Sequence, residues 1–319
     1  MTRGQRVWRS REGLLVLPAL LFYLVIYLYP LSRLIAWSFF DPGPTLTFYR
    51  QLFAEPAYFR ALANTLEISL LSTVLCLALG YPLAYLMATT SPRARRVLLI
   101  LVLIPFWTSV LVRTFAWIVI LGSNGLVNRT LIALGITDTP IKLLFNMTGV
   151  QIGMVHVLLP FMVFPLLAVM NRIDPNILRV ARSLGAVPRR AFRHVFLPLS
   201  LPGVAAGCVL VFLLAVGFYV TPALLGGPGQ VTLATMIDME INTFLNWGFA
   251  ASLGMLLLLV IGAIFAAFSV IEGVRAGQEL AGPRQRARLS REVARDVLRR
   301  AARHARAFKP HLHELSGLI

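Results

Sequence analysis

Residues 64–88, NTLEISLLSTVLCLALGYPLAYLMA, hold one charged side chain, Glu67, in an otherwise apolar or small-polar run. As a helix rising 1.5 Å per residue, a run of this length is about 37 Å long, enough to cross a hydrocarbon layer of ~30 Å. Equivalent runs recur on both sides of it. The predicted spans are 13–38, 62–89, 97–121, 148–171, 200–222 and 247–272, so the fold class read from the chain is an all-α integral membrane protein with six transmembrane helices. Composition agrees: of 319 residues 58% are hydrophobic and only 13% charged, and mean hydropathy is +0.77. Pro18, Pro30, Pro82, Pro105, Pro160 and Pro165 interrupt these runs. A membrane bundle tolerates them, because neighbouring helices satisfy the carbonyls they free.

Net charge is +17, a value that in a soluble chain suggests nucleic acid. Here the basic residues lie in short connections and at the ends, so insertion topology explains them and no nucleic-acid partner is expected. Four arginines precede the first span, three lie in 90–96, six in 172–199 and eleven Lys/Arg from Arg275 onward; these are 24 of the 30 in the chain. That asymmetry places the N-terminus, the C-terminus and the 172–199 connection in the cytoplasm. The first run is too long for a cleavable signal segment of roughly 7–15 apolar residues and reads as a span. Three domains follow: a basic N-terminus (1–12), a six-span domain (13–272) and a basic tail (273–319). In the tail Leu289, Val293, Val297 and Ala301 recur every four residues among arginines. This pattern suits a helix lying on anionic lipid, with a specific protein contact or a solvated tail as the alternatives. Cys76 and Cys208 sit in apolar runs and read as packed thiols. No phosphate-binding loop, nucleophile elbow or metal-ligand spacing is present, so no catalytic or metal-binding residue and no cofactor is assigned.

The connection 179–203, RVARSLGAVPRRAFRHVFLPLSLPG, differs from its surroundings. A helical start, Arg179 to Leu184, meets Gly185, a residue suited to the left-handed turn that closes a helix. After Ala186, Val187 and Pro188 a second basic stretch runs to Val195 and Leu197-Pro198, with a turn expected at Pro202-Gly203 before the fifth span. The reading is a helix–turn–helix elbow attached to a span. The spacing of Ala181, Gly185, Val195 and Leu197-Pro198 resembles the EAA loop of permease subunits from binding-protein-dependent ABC importers. Residues 64–88, PFWTSVLVRTFAW (105–117), NGLVN (124–128) and LLPFMVFPL (158–166) are similar to the spermidine/putrescine-type branch.

The resemblance spans roughly residues 10–272. It implies a non-catalytic subunit of the bacterial inner membrane that moves a small polar solute, a polyamine for this branch. Its implied partners are a second permease, two ATP-binding subunits that hold ATP and Mg, and a periplasmic solute-binding protein. It also implies that the elbow couples to the ATPase through Arg179, Val180, Ala181, Gly185, Ala186, Val195, Leu197 and Pro198. Arg179 and Val180 depart from the pattern, standing where the family has Glu and the first Ala. Like charges across a desolvated interface cost several kcal/mol, so the sign reversal at Arg179 matters.

Ionisable residues within spans are costly and are path candidates by default. Glu67, Arg113 and His156 are predicted at similar depth in the outer half; Glu67 and His156 lie roughly 8–12 Å in. A Glu67–Arg113 pair holding helices together competes with a role in the path. Trp107, Trp117 and Tyr219 are placed to line a path for an amine through cation–π contacts, or to pack at the interface. GFYVTPALLGGPG (217–229) is expected to break the helix and shape a gate. The alternatives are a channel or secondary carrier working without ATP, for which matching broken helices in inverted repeats are missing, and a membrane-embedded enzyme, for which one Glu and one His are too few.

Overall fold

Prolines and glycines, more than hydropathy, set the course of the helices. The computed structural model describes residues 11–40, 43–183 and 186–280. Among them six helices are long and apolar enough to cross a bilayer: Val16–Trp37, Pro56–Thr89, Val110–Ala133, Met147–Met170, Pro188–Val216 and Trp247–Ala266. The chain divides into two units, Met1–Leu258 and Leu259–Ile319. The helix bundle below belongs to the first.

The first crossing joins α1 (Arg11–Tyr23) through a π-helical turn, Leu24–Leu28, to α2 (Tyr29–Trp37). The widened turn lies just before Pro30. A proline ring clashes with the carbonyl four residues back and offers no N–H, and a π-turn absorbs both defects. Short α3 (Thr47–Ala54) leads into α4 (Pro56–Thr89), which contains the opening stretch. The stretch 97–121, expected as a single helix, is broken in two. α5 (Pro92–Trp107) stops, Thr108 and Ser109 are extended, and α6 (Val110–Leu121) begins anew. Thr108 turns its hydroxyl back to the Pro105 carbonyl at 2.9 Å, capping the broken end. After α7 (Leu126–Ala133), the Asn146 side chain accepts the Gly149 N–H and starts α8 (Met147–Met170).

The core is built from α4, α8 and α11 (Leu197–Val216), which pack on one another more extensively than any other helices. Met162 of α8 shows why. Its side chain lies between Gly80 of α4 and Gly207 of α11, where added Cβ atoms would meet it at 2.9 and 2.8 Å. Small residues that admit a neighbouring helix this closely drive packing in lipid, where apolar side chains gain little from leaving the bilayer. Gln151 of α8 adds a buried polar tie: it accepts from the Ser72 hydroxyl at 2.8 Å and donates to the Ile68 carbonyl at 3.2 Å, both on α4. Such bonds in membranes contribute about 0.5–2 kcal/mol. A second cluster joins Leu52 of α3, Tyr58 and Ala61 of α4, Leu233, and Phe249 and Leu253 of α14 (Trp247–Leu280). Cys76 and Cys208 are free thiols.

Two expected boundaries move. The fifth crossing ends at Val216, not 222; short α12 (Val220–Leu225) follows after Gly217. No turn forms at Pro202-Gly203, because α11 runs unbroken through both. Leu197-Pro198 is likewise helical: a second π-turn, Phe192–Phe196, stands immediately before Pro198 and accommodates it as the first does Pro30.

Candidate functional site

The connection between the fourth and fifth crossings forms two helical pieces. α9 (Pro175–Ser183) starts where the Asp174 carboxylate accepts the Asn176 N–H at 2.9 Å. Gly185, expected to close it, lies outside the described residues. Beyond it the Ala186 N–H reaches the Ala181 carbonyl at 3.0 Å, Val187 is extended, and α10 (Pro188–Ala191) opens with proline at its first position. α10, the π-turn and α11 then continue as one rod. That rod is locked to the end of α4 by aromatic contacts: Tyr85 stands edge-on to Phe192 and Phe196, with ring centroids at 5.3 and 5.0 Å. The Tyr81 hydroxyl completes the join by pairing with Ser200 at 2.9 Å.

The elbow has a buried and an exposed face. Ala191 and Phe196 are buried, Leu178 and Phe192 pack against the core, and Ala181 and Val195 are half-buried. Ile177, Val180 and Val187 are exposed, alongside exposed Arg179, Arg189, Arg190 and Arg193. Leu197 is half-buried and Pro198 exposed. An apolar patch rimmed by guanidinium groups is thus presented at this end, on a lever fixed to two crossings.

The predicted path residues separate into three places. Arg113, Trp117 and His156 come together where α6 meets α8. The Trp117 indole N–H donates to His156 Nδ1 at 3.1 Å, its ring edge-on at 5.6 Å. An indole can only donate, so Nδ1 carries a lone pair and the imidazole is neutral, leaving Nε2–H as a donor. Arg113 stands one turn before Trp117 on α6, and its Nε donates to the Ser109 carbonyl at 3.5 Å. Glu67 does not join them; it stands on the exposed face of α4 beside Leu70 and Val74. Trp107 is also apart, 85% exposed at the break between α5 and α6. Unpaired backbone at membrane depth is tolerated only where it is buried by protein or lines a watery cavity.

Tyr219 occupies the third place, an open cleft of about 450 Å³ at the end of the bundle opposite the elbow. Asp238 of α13 (Leu233–Asn242) lines the same cleft, with Phe145 and Gln230. Asp238 accepts from Asn242 Nδ2 at 2.7 Å. Burial, and then the nearby Asp238 carboxylate, hold the Tyr219 hydroxyl above the ordinary tyrosine range, so it stays protonated. Asp238 was missed in the sequence because it lies in a polar connection outside the apolar runs. One signal was available: residues 217–246 contain Asp238 and Glu240 and neither lysine nor arginine.

A family model described as binding-protein-dependent transport system inner membrane component matches residues 80–271. The spermidine/putrescine transport system permease protein PotB of Escherichia coli (strain K12) is 37% identical over 224 residues, covering 70% of this chain and 81% of that protein. PotB of Haemophilus influenzae is 40% identical over 219 residues, 68% of this chain and 76% of that one. A crystal structure of a bacterial ABC transporter involved in the import of the acidic polysaccharide alginate contains a chain with a TM-score of 0.70 to this one. The match covers 83% of this chain and 98% of that one at 21% identity, a likeness of fold.

Proposed function

The chain belongs to the family of binding-protein-dependent transport system inner membrane components, and from that premise we propose that it passes a polyamine inward, driven through the elbow at 172–200. It is a non-catalytic, multi-pass permease subunit of the bacterial inner membrane, acting with ATP-hydrolysing subunits and a periplasmic binding protein. The finer assignments are our reading. Both termini and the elbow face the cytoplasm, as the distribution of 24 of the 30 basic residues argues. Domain 13–272 is the permease proper. The tail 273–319, outside the described residues from 281 onward, rests on anionic lipid.

The coupling set is Arg179, Val180, Ala181, Gly185, Ala186, Val195, Leu197 and Pro198. The observation that carries it is the elbow's exposed, arginine-rimmed apolar patch on a rod fixed to α4 through Tyr81 and Tyr85. A push on Val180 and Val187 moves two core helices together. A second permease covers the break in 97–121 and Trp107. Arg113, Trp117 and His156 line the path, with Glu67 reaching it only from the partner side.

Polyamine as solute rests on the similarity to the two PotB proteins and on the acidic, aromatic lining beside Tyr219. The test is ATP hydrolysis by the purified complex with its binding protein. Stimulation by spermidine or putrescine supports the reading; stimulation only by an acidic or phosphorylated solute removes it. Arg179→Glu addresses the reversed charge. Loss of ATP-driven uptake supports an acid of the ATPase opposite Arg179; unchanged uptake excludes that acid and leaves two readings, Arg179 in solvent or coupling carried by the second permease.

A further inference from the structure

We propose that the cleft formed by Phe145, Tyr219 and Asp238 is a receiving subsite for one ammonium group of an organic cation, at the end of the bundle where solute enters. The proposal rests on the import reading above and adds a binding site within the permease itself.

The lining selects the ligand class. Asp238 is the only charged residue among the described residues that line the cleft, so an anion finds no counter-charge there. A divalent metal takes six or more oxygen ligands, whereas this cleft combines one carboxylate with two aromatic rings. A carboxylate beside aromatic faces is a constellation that holds an ammonium ion. Asp238 keeps acceptor capacity after bonding Asn242, because an ionised carboxylate offers about four lone-pair sites. The volume, about 450 Å³, lies within the usual range for small-ligand pockets.

Backbone geometry indicates that the lining is built in place. Phe145 has φ of 56°, a left-handed conformation that bulky residues rarely adopt. It is held there by its N–H bond to the Leu225 carbonyl at 3.0 Å, and its ring stays 54% exposed. Gly227 lies so close to the Phe145 carbonyl that any Cβ would collide with it. Across the cleft, Asn64 of α4 donates to the Gly229 and Val231 carbonyls, each at 3.0 Å, and Thr65 accepts the Leu233 N–H at 2.9 Å. The segment carrying Asp238 is therefore tied to the core helix and does not need to order when the ligand arrives.

The subsite is tested in the complete complex in proteoliposomes, with saturating binding protein and spermidine as the probe. Two quantities are read: spermidine-stimulated ATP hydrolysis, and spermidine moved per ATP. Asp238→Asn keeps the shape and the Asn242 bond and removes the charge. The expected result is ATP hydrolysis within twofold of the unsubstituted complex, transport per ATP down ~tenfold, as for loss of one charge-assisted contact, and recovery in Asp238→Glu. Phe145→Ala is expected to lower transport per ATP by severalfold. Unchanged transport per ATP in Asp238→Asn overturns the subsite while leaving the import reading intact. A complex that spermidine does not stimulate, even without substitution, overturns both.

Discussion

At the scale of single residues, the chemistry turns on groups whose partners come from distant parts of the chain. Trp117 and His156 are 39 positions apart, yet the indole fixes the imidazole as a neutral Nε2–H donor. Trp117→Phe removes that bond together with part of a side chain packed on the core and should cost at least about 1 kcal/mol in thermal stability. In histidine-labelled protein, 15N shifts should report a protonated Nε2 before the substitution and a tautomer mixture after it. Glu240, half-buried on α13, has its carboxyl held above the ordinary range, first by burial and then by the Glu55 charge. The folded state therefore keeps this proton when the unfolded chain has lost it, so stability falls as pH rises from the usual carboxylate value through the raised one. Glu240→Gln removes that penalty: its Tm should exceed that of the native chain near neutral pH, and the gap should close below the ordinary carboxylate range. As candidates only, Arg113, Trp117, His156 and Tyr219 were legible in the sequence, being ionisable or aromatic residues in or beside apolar runs. Asp238 was not, because an acid in a polar connection has no distinction until folding sets Phe145 and Tyr219 beside it.

At the scale of elements, hydropathy was enough to find six crossings, and it failed where backbone chemistry intervenes. Trp107-Thr108-Ser109 carries no glycine or proline, so the break reads as continuous helix; Pro105 and the Thr108 hydroxyl make it. The π-turns before Pro30 and Pro198 are invisible to periodicity for a similar reason, since one extra residue per turn barely disturbs an apolar pattern. Helix contact is where packing can be tested. Gly207→Val places new atoms against Met162 and should destabilise the bundle by about 1–3 kcal/mol; adding Met162→Ala should return part of that loss, a coupling measurable by a double-mutant cycle on thermal unfolding. On the elbow, Val180→Asp with Val187→Asp alters only exposed positions. Permease abundance in the membrane should hold, while ATP-driven uptake falls at least ~tenfold, because buried charge at an interface is costly.

At the scale of the whole molecule, the pattern of exposure describes a subunit and not a self-sufficient transporter. The first crossing has no buried residue between Val16 and Trp37, Trp107 stands open at a broken helix, and the elbow ends in an apolar patch rimmed with arginine. Apolar surface of this extent is covered in the working complex, by lipid or by protein partners. In the function proposed, solute movement depends on ATP hydrolysed elsewhere and delivered through residues 172–200. The direct measurement is spermidine accumulation in proteoliposomes containing the permease pair, the ATP-binding subunits and the binding protein. Accumulation against a gradient should require ATP, the binding protein and an intact elbow together; accumulation by this chain alone, or without ATP, would contradict the account.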